Sequence, residues 1–183
     1  MNLKYQIVNE NQLKIFIPHL RSMEKNIEYP LEDGTESFFI DHGKDYSPFF
    51  TQQGYKTRFL IITNKDKVAG SIAGVWKRIS FNEKTYNALY ASDLKLKPKY
   101  RNKGIVKNFL WYLFIRWPFT KEFQGWDFIY FCAMQRENKG VESTFKGVHL
   151  GKLTKPNCLL NIYILEPHEF NSIDLDELLY SPE

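Results

Sequence analysis

The chain has 183 residues, 43% of them hydrophobic and 16% aromatic, with a formal net charge of +4. This is the composition of a folded domain with a sizeable core, and it excludes a disordered chain. So small a positive balance does not by itself imply nucleic acid, and no apolar run reaches the roughly 20 residues that cross a bilayer as a helix.

The opening residues Met1–Gln6 lack the apolar segment of a secretory leader, so a cytoplasmic location is expected. Cys132 and Cys158 then read as buried free thiols. Leu3–Val8 alternates as a first strand. Asn9 or Asn11 can cap a helix whose apolar positions Leu13, Ile17 and Leu20 share a face. From about Met23 to Gly54 the pattern is irregular and reads as loop plus a short helix. Acids at Glu24, Glu28, Glu32, Asp33, Glu36, Asp41 and Asp45 alternate there with aromatics such as Tyr29, Phe39, Tyr46 and Phe50.

Three strands follow at short spacing: Arg58–Thr63, Val68–Ile79 and Thr85–Leu96. Turn residues Asn64–Lys67 and Phe81–Lys84 separate them, so antiparallel hairpins are expected. Gly70 and Gly74 inside the middle strand suggest a bulge or a close backbone approach. Ile105–Trp117 is the strongest helix and ends at Pro118. Trp126–Met134 reads as a central strand. A short helix at Arg136–Lys146, a last strand at Asn157–Leu165 and an acidic tail complete the chain. Strand, helix, strand across Thr85–Met134 is a crossover unit, so its two strands should be parallel.

The segment Leu94–Val106 carries the most chemical information. An alternating strand ends at Pro98, a basic glycine-bearing turn follows, and an apolar helix begins. Unpaired N–H donors at such a helix start attract phosphate oxygens, so the turn reads as a seat for a phosphorylated cofactor. Lys95, Lys97, Lys99, Arg101, Lys103 and Lys107 accompany it with no acid among them; each has as its plainer reading a solvated basic face.

In this order the elements resemble the GNAT-type acyl-CoA N-acyltransferases. The family signature is Arg/Gln-x-x-Gly-x-Gly/Ala after a strand ending in an apolar-x-Pro step. Here it stands as Arg101–Asn102–Lys103–Gly104–Ile105–Val106 after Leu96–Lys97–Pro98. The segment Asn138–Val148 is similar to the family's Asn-started helix, and the element order matches over about residues 3–165. The chain departs from the pattern at Val106, where the family has a small residue, and at Ser143–Phe145, near the family's frequent tyrosine.

The resemblance implies an α/β (α+β) fold: a mixed, mostly antiparallel sheet of six to seven strands with one splayed parallel pair and helices on both faces. Residues 1–165 would form this single domain, with 166–183 as an acidic tail. It also implies that the backbone of Arg101, Asn102, Lys103, Gly104, Ile105 and Val106 holds the coenzyme A pyrophosphate, and that Leu94 and Leu96 pair with the pantetheine arm. The Leu96 N–H would be the oxyanion donor, and Asn138 would bind the cofactor or merely cap its helix. The co-substrate would be acetyl-CoA or another acyl-CoA, with no metal.

Acyl transfer to an amine needs a base, because a free primary amine holds its proton up to about pH 10. Asp93, at the end of its strand, is the candidate base or water relay, with a surface ion pair as its plainer reading. Ser143 is a candidate acid for the leaving thiolate, as are Tyr90 and Tyr130. The four histidines have no metal-ligand spacing.

The expected activity is acetyl transfer from acetyl-CoA to a primary amine of a small molecule or peptide, by direct attack in a ternary complex. The acidic, aromatic stretch before Gly54 would suit a cationic acceptor. Two rivals stand beside it: a catalytically silent acyl-CoA-binding module of the same fold, and a basic nucleic-acid-associated protein. Trp111, Trp117, Phe119, Phe123 and Trp126 either form an apolar patch suited to a homodimer or pack in the core.

Overall fold

In chain order the elements are β1 (Leu3–Val8), α1 (Glu10–Leu13), α2 (Ile17–Glu24), β2 (Tyr29–Pro30), β3 (Ser37–Phe38), α3 (Pro48–Thr51), β4 (Lys56–Asn64), β5 (Lys67–Phe81), β6 (Lys84–Leu96), α4 (Ile105–Arg116) and β7 (Phe128–Tyr130). They come from a computed structural model that describes residues 2–30 and 37–132. The main sheet runs β1-β4-β5-β6-β7, antiparallel except for the parallel pair β6 and β7. This is the expected mixed sheet, with five of its strands among the described residues.

Both hairpin turns follow from their residues. Lys65 and Asp66 have φ of 47° and 62°, and Asn82 and Glu83 have φ of 48° and 61°. Positive φ at both central positions is the turn geometry whose twist matches a two-residue hairpin. The sheet is buried on both faces, as the apolar run of β4 requires. Phe59 and Ile61 point into one core with Leu13, Leu20, Tyr46, Phe50 and Val75. Leu60 and Ile62 point into the other with Ala69, Tyr100, Ile105 and Phe109. Thus α1, α2 and the segment around α3 cover one face while α4 covers the opposite one.

Several expectations need correction. The single helix after Asn9 is two. Asn9 caps α1 in a capping box with Gln12, and Pro18 then sits in the first turn of α2. Proline has no N–H to donate and favours a helix start, so the chain turns at Lys14–Phe16 instead of continuing. Of the strand expected at Trp126–Met134, the described residues 126–132 form only β7, the outermost strand of the described sheet, with Phe128 and Ile129 exposed. Cys132, just beyond it, is exposed and not buried. The expected aromatic patch divides: Trp111 and Phe119 are exposed, whereas Phe123 packs edge-on against Trp76 with centroids 5.9 Å apart. The helix at Arg136–Lys146, the strand at Asn157–Leu165, the tail 166–183, Cys158 and the candidates Asn138 and Ser143 lie outside the described residues.

Gly70 marks the irregularity that sequence suggests. Registers shift beside it on both flanks, between Ile62 and Thr63 and between Ser71 and Ala73. A Cβ at Gly70 would lie 2.6 Å from the Lys95 carbonyl oxygen. Gly70→Ala must therefore push β6 away from β5, and a stability loss of roughly 1–3 kcal/mol is expected. A thermal melt checks this; an unchanged midpoint contradicts it.

Candidate functional site

The turn after β6 is built in three steps. Pro98–Tyr100 makes one 3-10 turn, with the Arg101 N–H donating to the Pro98 carbonyl at 3.1 Å. Tyr100 is buried beneath it and accepts a hydrogen bond from Asn64 Nδ2 at 3.2 Å. Asn102 and Gly104 then take φ of 59° and 69°, and α4 starts at Ile105, which is buried as its anchor. Among the described residues no acceptor takes the N–H groups of Asn102 through Lys107, and the first returning bond is Asn108 N–H to the Gly104 carbonyl at 3.0 Å. A Cβ on Gly104 would meet none of the described residues within 4 Å. The free donors thus begin at Asn102. Arg101, expected to contribute its amide, has that N–H bonded within the 3-10 turn.

The six cations of this stretch have different fates. Lys97 and Lys99 line a cavity of about 370 Å³ with Ser22, Met23 and Ile27. The Arg101 guanidinium donates through Nε to the Leu96 carbonyl at 3.1 Å, and Lys103 and Lys107 are exposed beside the α4 start. Lys95 turns inward and is 1% exposed. For Lys95, then, neither a solvated surface nor phosphate contact holds.

Beside the turn the described pairing of the parallel strands ends. Pairing between β6 and β7 ends at Tyr90 and Tyr130, whose rings stack at 4.9 Å, while β6 continues to Leu96. Two residues, Asp93 and Leu94, lie opposite Ile72 alone, which is a β-bulge. Lys97 donates to the Ala69 carbonyl at 3.0 Å on the β5 side. Because successive residues of a strand point their polar groups to opposite sides, the Leu96 amide faces away from β5, toward the side on which, among the described residues, nothing pairs with β6 beyond Tyr90. Where that pairing stops, the Tyr90 hydroxyl is pushed up to about 12 by burial first and then by the Cys132 thiol beside it.

Asp93 holds φ of 56° in the bulge, and Tyr46 holds φ of 52°. Aspartate tolerates this region through its short polar side chain; tyrosine rarely adopts it. Left-handed backbone at a non-glycine residue costs about 1–2 kcal/mol and persists where the surroundings enforce it. The two strained residues are bonded to each other, the Tyr46 hydroxyl donating to Asp93 Oδ2 at 2.5 Å. Burial, then the Asp93 carboxylate, hold that phenol well above its ordinary range. The Lys95 ammonium pairs with Asp93 Oδ1, reaches Glu24 Oε1 at 2.9 Å and lies 3.4 Å from the Tyr46 hydroxyl. His42 donates through Nδ1 to the same Glu24 oxygen, and its ring packs on Tyr46, Phe49 and Phe50. Tyr29 stands near this group: burial, then the carboxylates of Asp93 and Glu24, raise its hydroxyl, and Arg101 opposes them.

Donor atoms of Glu24, His42 and Asp93 lie within 4.8 Å of one another, close enough to share a metal ion. The Lys95 ammonium already bonds both carboxylates, so this chain supplies the cation itself. Asp93, the candidate base at its strand end, is not in a surface ion pair: its side chain is only 6% exposed, with both oxygens engaged. The acidic wall expected before Gly54 also resolves unevenly. Glu24 is buried against Lys95, while Glu28, Asp41 and Asp45 are exposed. Sequence reasoning missed Glu24, His42, Tyr46 and Lys95 as a group. The one available signal was Asp93 and Lys95 two positions apart on a strand.

No family model matches the chain. A protein of Amsacta moorei entomopoxvirus, provisionally assigned as a glycylpeptide N-tetradecanoyltransferase, is 28% identical over 102 residues, which is 56% of this chain and 29% of that protein. The chain therefore matches less than a third of that relative's length. Among solved structures, a provisionally assigned acetyl transferase from Pyrococcus furiosus superposes with a TM-score of 0.56 at 15% identity, covering 88% of this chain and all of that one. An aminoglycoside acetyltransferase from an uncultured soil metagenomic sample, in complex with trehalose, gives 0.55 at 18% identity over 90% of this chain and 97% of its own. An acetyltransferase of Trypanosoma brucei gives 0.53 at 12% identity over 90% and 100%. The fold is that of the GNAT acetyltransferases.

Proposed function

We propose that this chain is an acyl-CoA-dependent N-acyltransferase that transfers acetyl from acetyl-CoA to a primary amine of a small molecule or peptide. The observation that carries the reading is one juxtaposition: amides from Asn102 to Lys107, which have no acceptor among the described residues, open α4 beside the stretch of β6 beyond its described pairing with β7. Those amides would hold the pyrophosphate, with Lys103 and Lys107 meeting the remaining charge. The pantetheine arm would lie along Leu94–Leu96, displacing the Arg101 guanidinium from the Leu96 carbonyl. An extended pantetheine of about a dozen bonds reaches roughly 14 Å, or some four residues of strand, which brings its sulfur toward the bulge.

The attacking amine forms the new C–N bond while the C–S bond breaks. The Leu96 N–H would stabilise the carbonyl oxygen as it gains charge. Asp93, through water, would take the amine proton. The thiolate leaves with a proton from Ser143 or from Tyr90, whose hydroxyl is protonated at neutral pH.

The assay is release of coenzyme A thiol over a panel of amines, with acetyl-, octanoyl- and tetradecanoyl-CoA as donors. The viral relative's assignment motivates the longest chain. Turnover highest with acetyl-CoA is expected; a preference for tetradecanoyl-CoA would overturn the acetyl donor and keep the acyltransferase. One observation favours a second reading, a silent acyl-CoA-binding module: both oxygens of Asp93 already have partners. Calorimetric coenzyme A binding with no turnover for any amine would decide for it.

A further inference from the structure

We propose that Lys95, acting with Tyr46, is a positioning residue of the acyl-transfer site, holding the β6 bulge so that its outward amides stay aimed away from β5. The inference rests on the acyltransferase reading and names a device that the reading does not require.

Lys95 joins three separate parts of the chain. It bonds Glu24 at the end of α2, Tyr46 in the segment before α3, and Asp93 on its own strand. Glu24 is 4% exposed, so the ion pairs are out of water. Replacing a buried ion pair by apolar residues is often neutral or stabilising, so fold stability alone does not explain a lysine in this core. Its location does. The ammonium and the Tyr46 hydroxyl each bind one oxygen of Asp93, and Asp93 is the left-handed residue that makes the bulge. The Leu94 and Leu96 backbone follows directly. With Asp93 released, the strand can relax toward regular pairing, and a one-residue slip reverses the side to which each amide points. Gly70 closes the other flank, since its missing Cβ leaves room for the Lys95 carbonyl. The bulge is therefore fixed from β5 by contact and from the α2 side by charge.

The test uses the full chain with acetyl-CoA and the best amine of the panel. Lys95→Met should lower kcat at least about thirtyfold and raise the acetyl-CoA KM as well, because the Leu94–Leu96 backbone that it holds would carry both the oxyanion donor and the pantetheine arm. Lys95→Arg, which keeps the charge, should restore part of that loss. Tyr46→Phe keeps the ring in the core and removes only the hydroxyl, so it decides the matter if Lys95→Met fails to fold. For it a tenfold lower kcat, on the order of a single hydrogen bond to a charged group, is expected. Variants that melt earlier but turn over at the wild-type kcat per folded molecule would show a stability role only and overturn the proposal. Wild-type protein without turnover would overturn both this inference and the enzymatic reading beneath it.

Discussion

Gly104→Ala is expected to weaken coenzyme A binding by about a hundredfold, near 2.7 kcal/mol, with the melting temperature lowered by only a few degrees. The two effects separate because of where the new methyl group would go. In the protein alone it meets none of the described residues within 4 Å, so none of them has to move. Its only internal penalty is backbone strain at φ of 69°, about 1–2 kcal/mol for a residue with a Cβ. The space it fills lies beside the amides of Asn102–Lys107 that have no acceptor among the described residues. A phosphate drawn to those donors must approach the backbone to hydrogen-bond distance, and glycine permits that approach. Calorimetric titration with coenzyme A measures the first effect and a thermal melt the second. Equal affinity in the two proteins would show that the turn is not the phosphate seat, and the cofactor reading would fail with it.

This turn was legible in the sequence because its features are local. Strand alternation, Pro98, a glycine and an apolar helix face all fall within a dozen residues, and each constrains its neighbours directly. The two hairpins were legible for the same reason. The bulge was legible only from Gly70 on the facing strand; β6 itself gave no sign of it, because Asp93 adopts a left-handed backbone without the glycine that ordinarily announces it. The buried charge cluster was hidden by separation. Glu24 and Lys95 are 71 positions apart, and Lys95 stands in a run of lysines that reads as solvated surface. Only the sheet, by placing β6 over α2, turns that one lysine inward. The break between α1 and α2 was signalled by Pro18 but outweighed by the spacing of Leu13, Ile17 and Leu20. Of those, Leu13 and Leu20 are fully buried, so the apolar pattern identified the right face of a helix that the chain divides in two.

Asp93→Asn is expected to lower kcat by roughly 10²–10⁴-fold, the range for loss of a general base, while coenzyme A affinity changes less than about threefold. Asparagine suits the question because it tolerates positive φ as well as aspartate does, so the bulge at φ of 56° keeps its backbone conformation. It also keeps an oxygen for the Tyr46 hydroxyl. What it removes is the negative charge beside Lys95. The Lys95 ammonium then has Glu24 as its one carboxylate partner, and because the group is buried the variant should also melt lower. A stability loss alone is compatible with a purely structural carboxylate, so kcat per folded molecule is the quantity that discriminates. If it falls well beyond the loss seen in Lys95→Met while coenzyme A binding holds, Asp93 moves the amine proton, and the partners that engage its oxygens must yield one to water during turnover. If it stays at the wild-type value, the proton leaves by another group. The strained Asp93–Tyr46 pair would then serve geometry alone, as a brace for the amides that face away from β5.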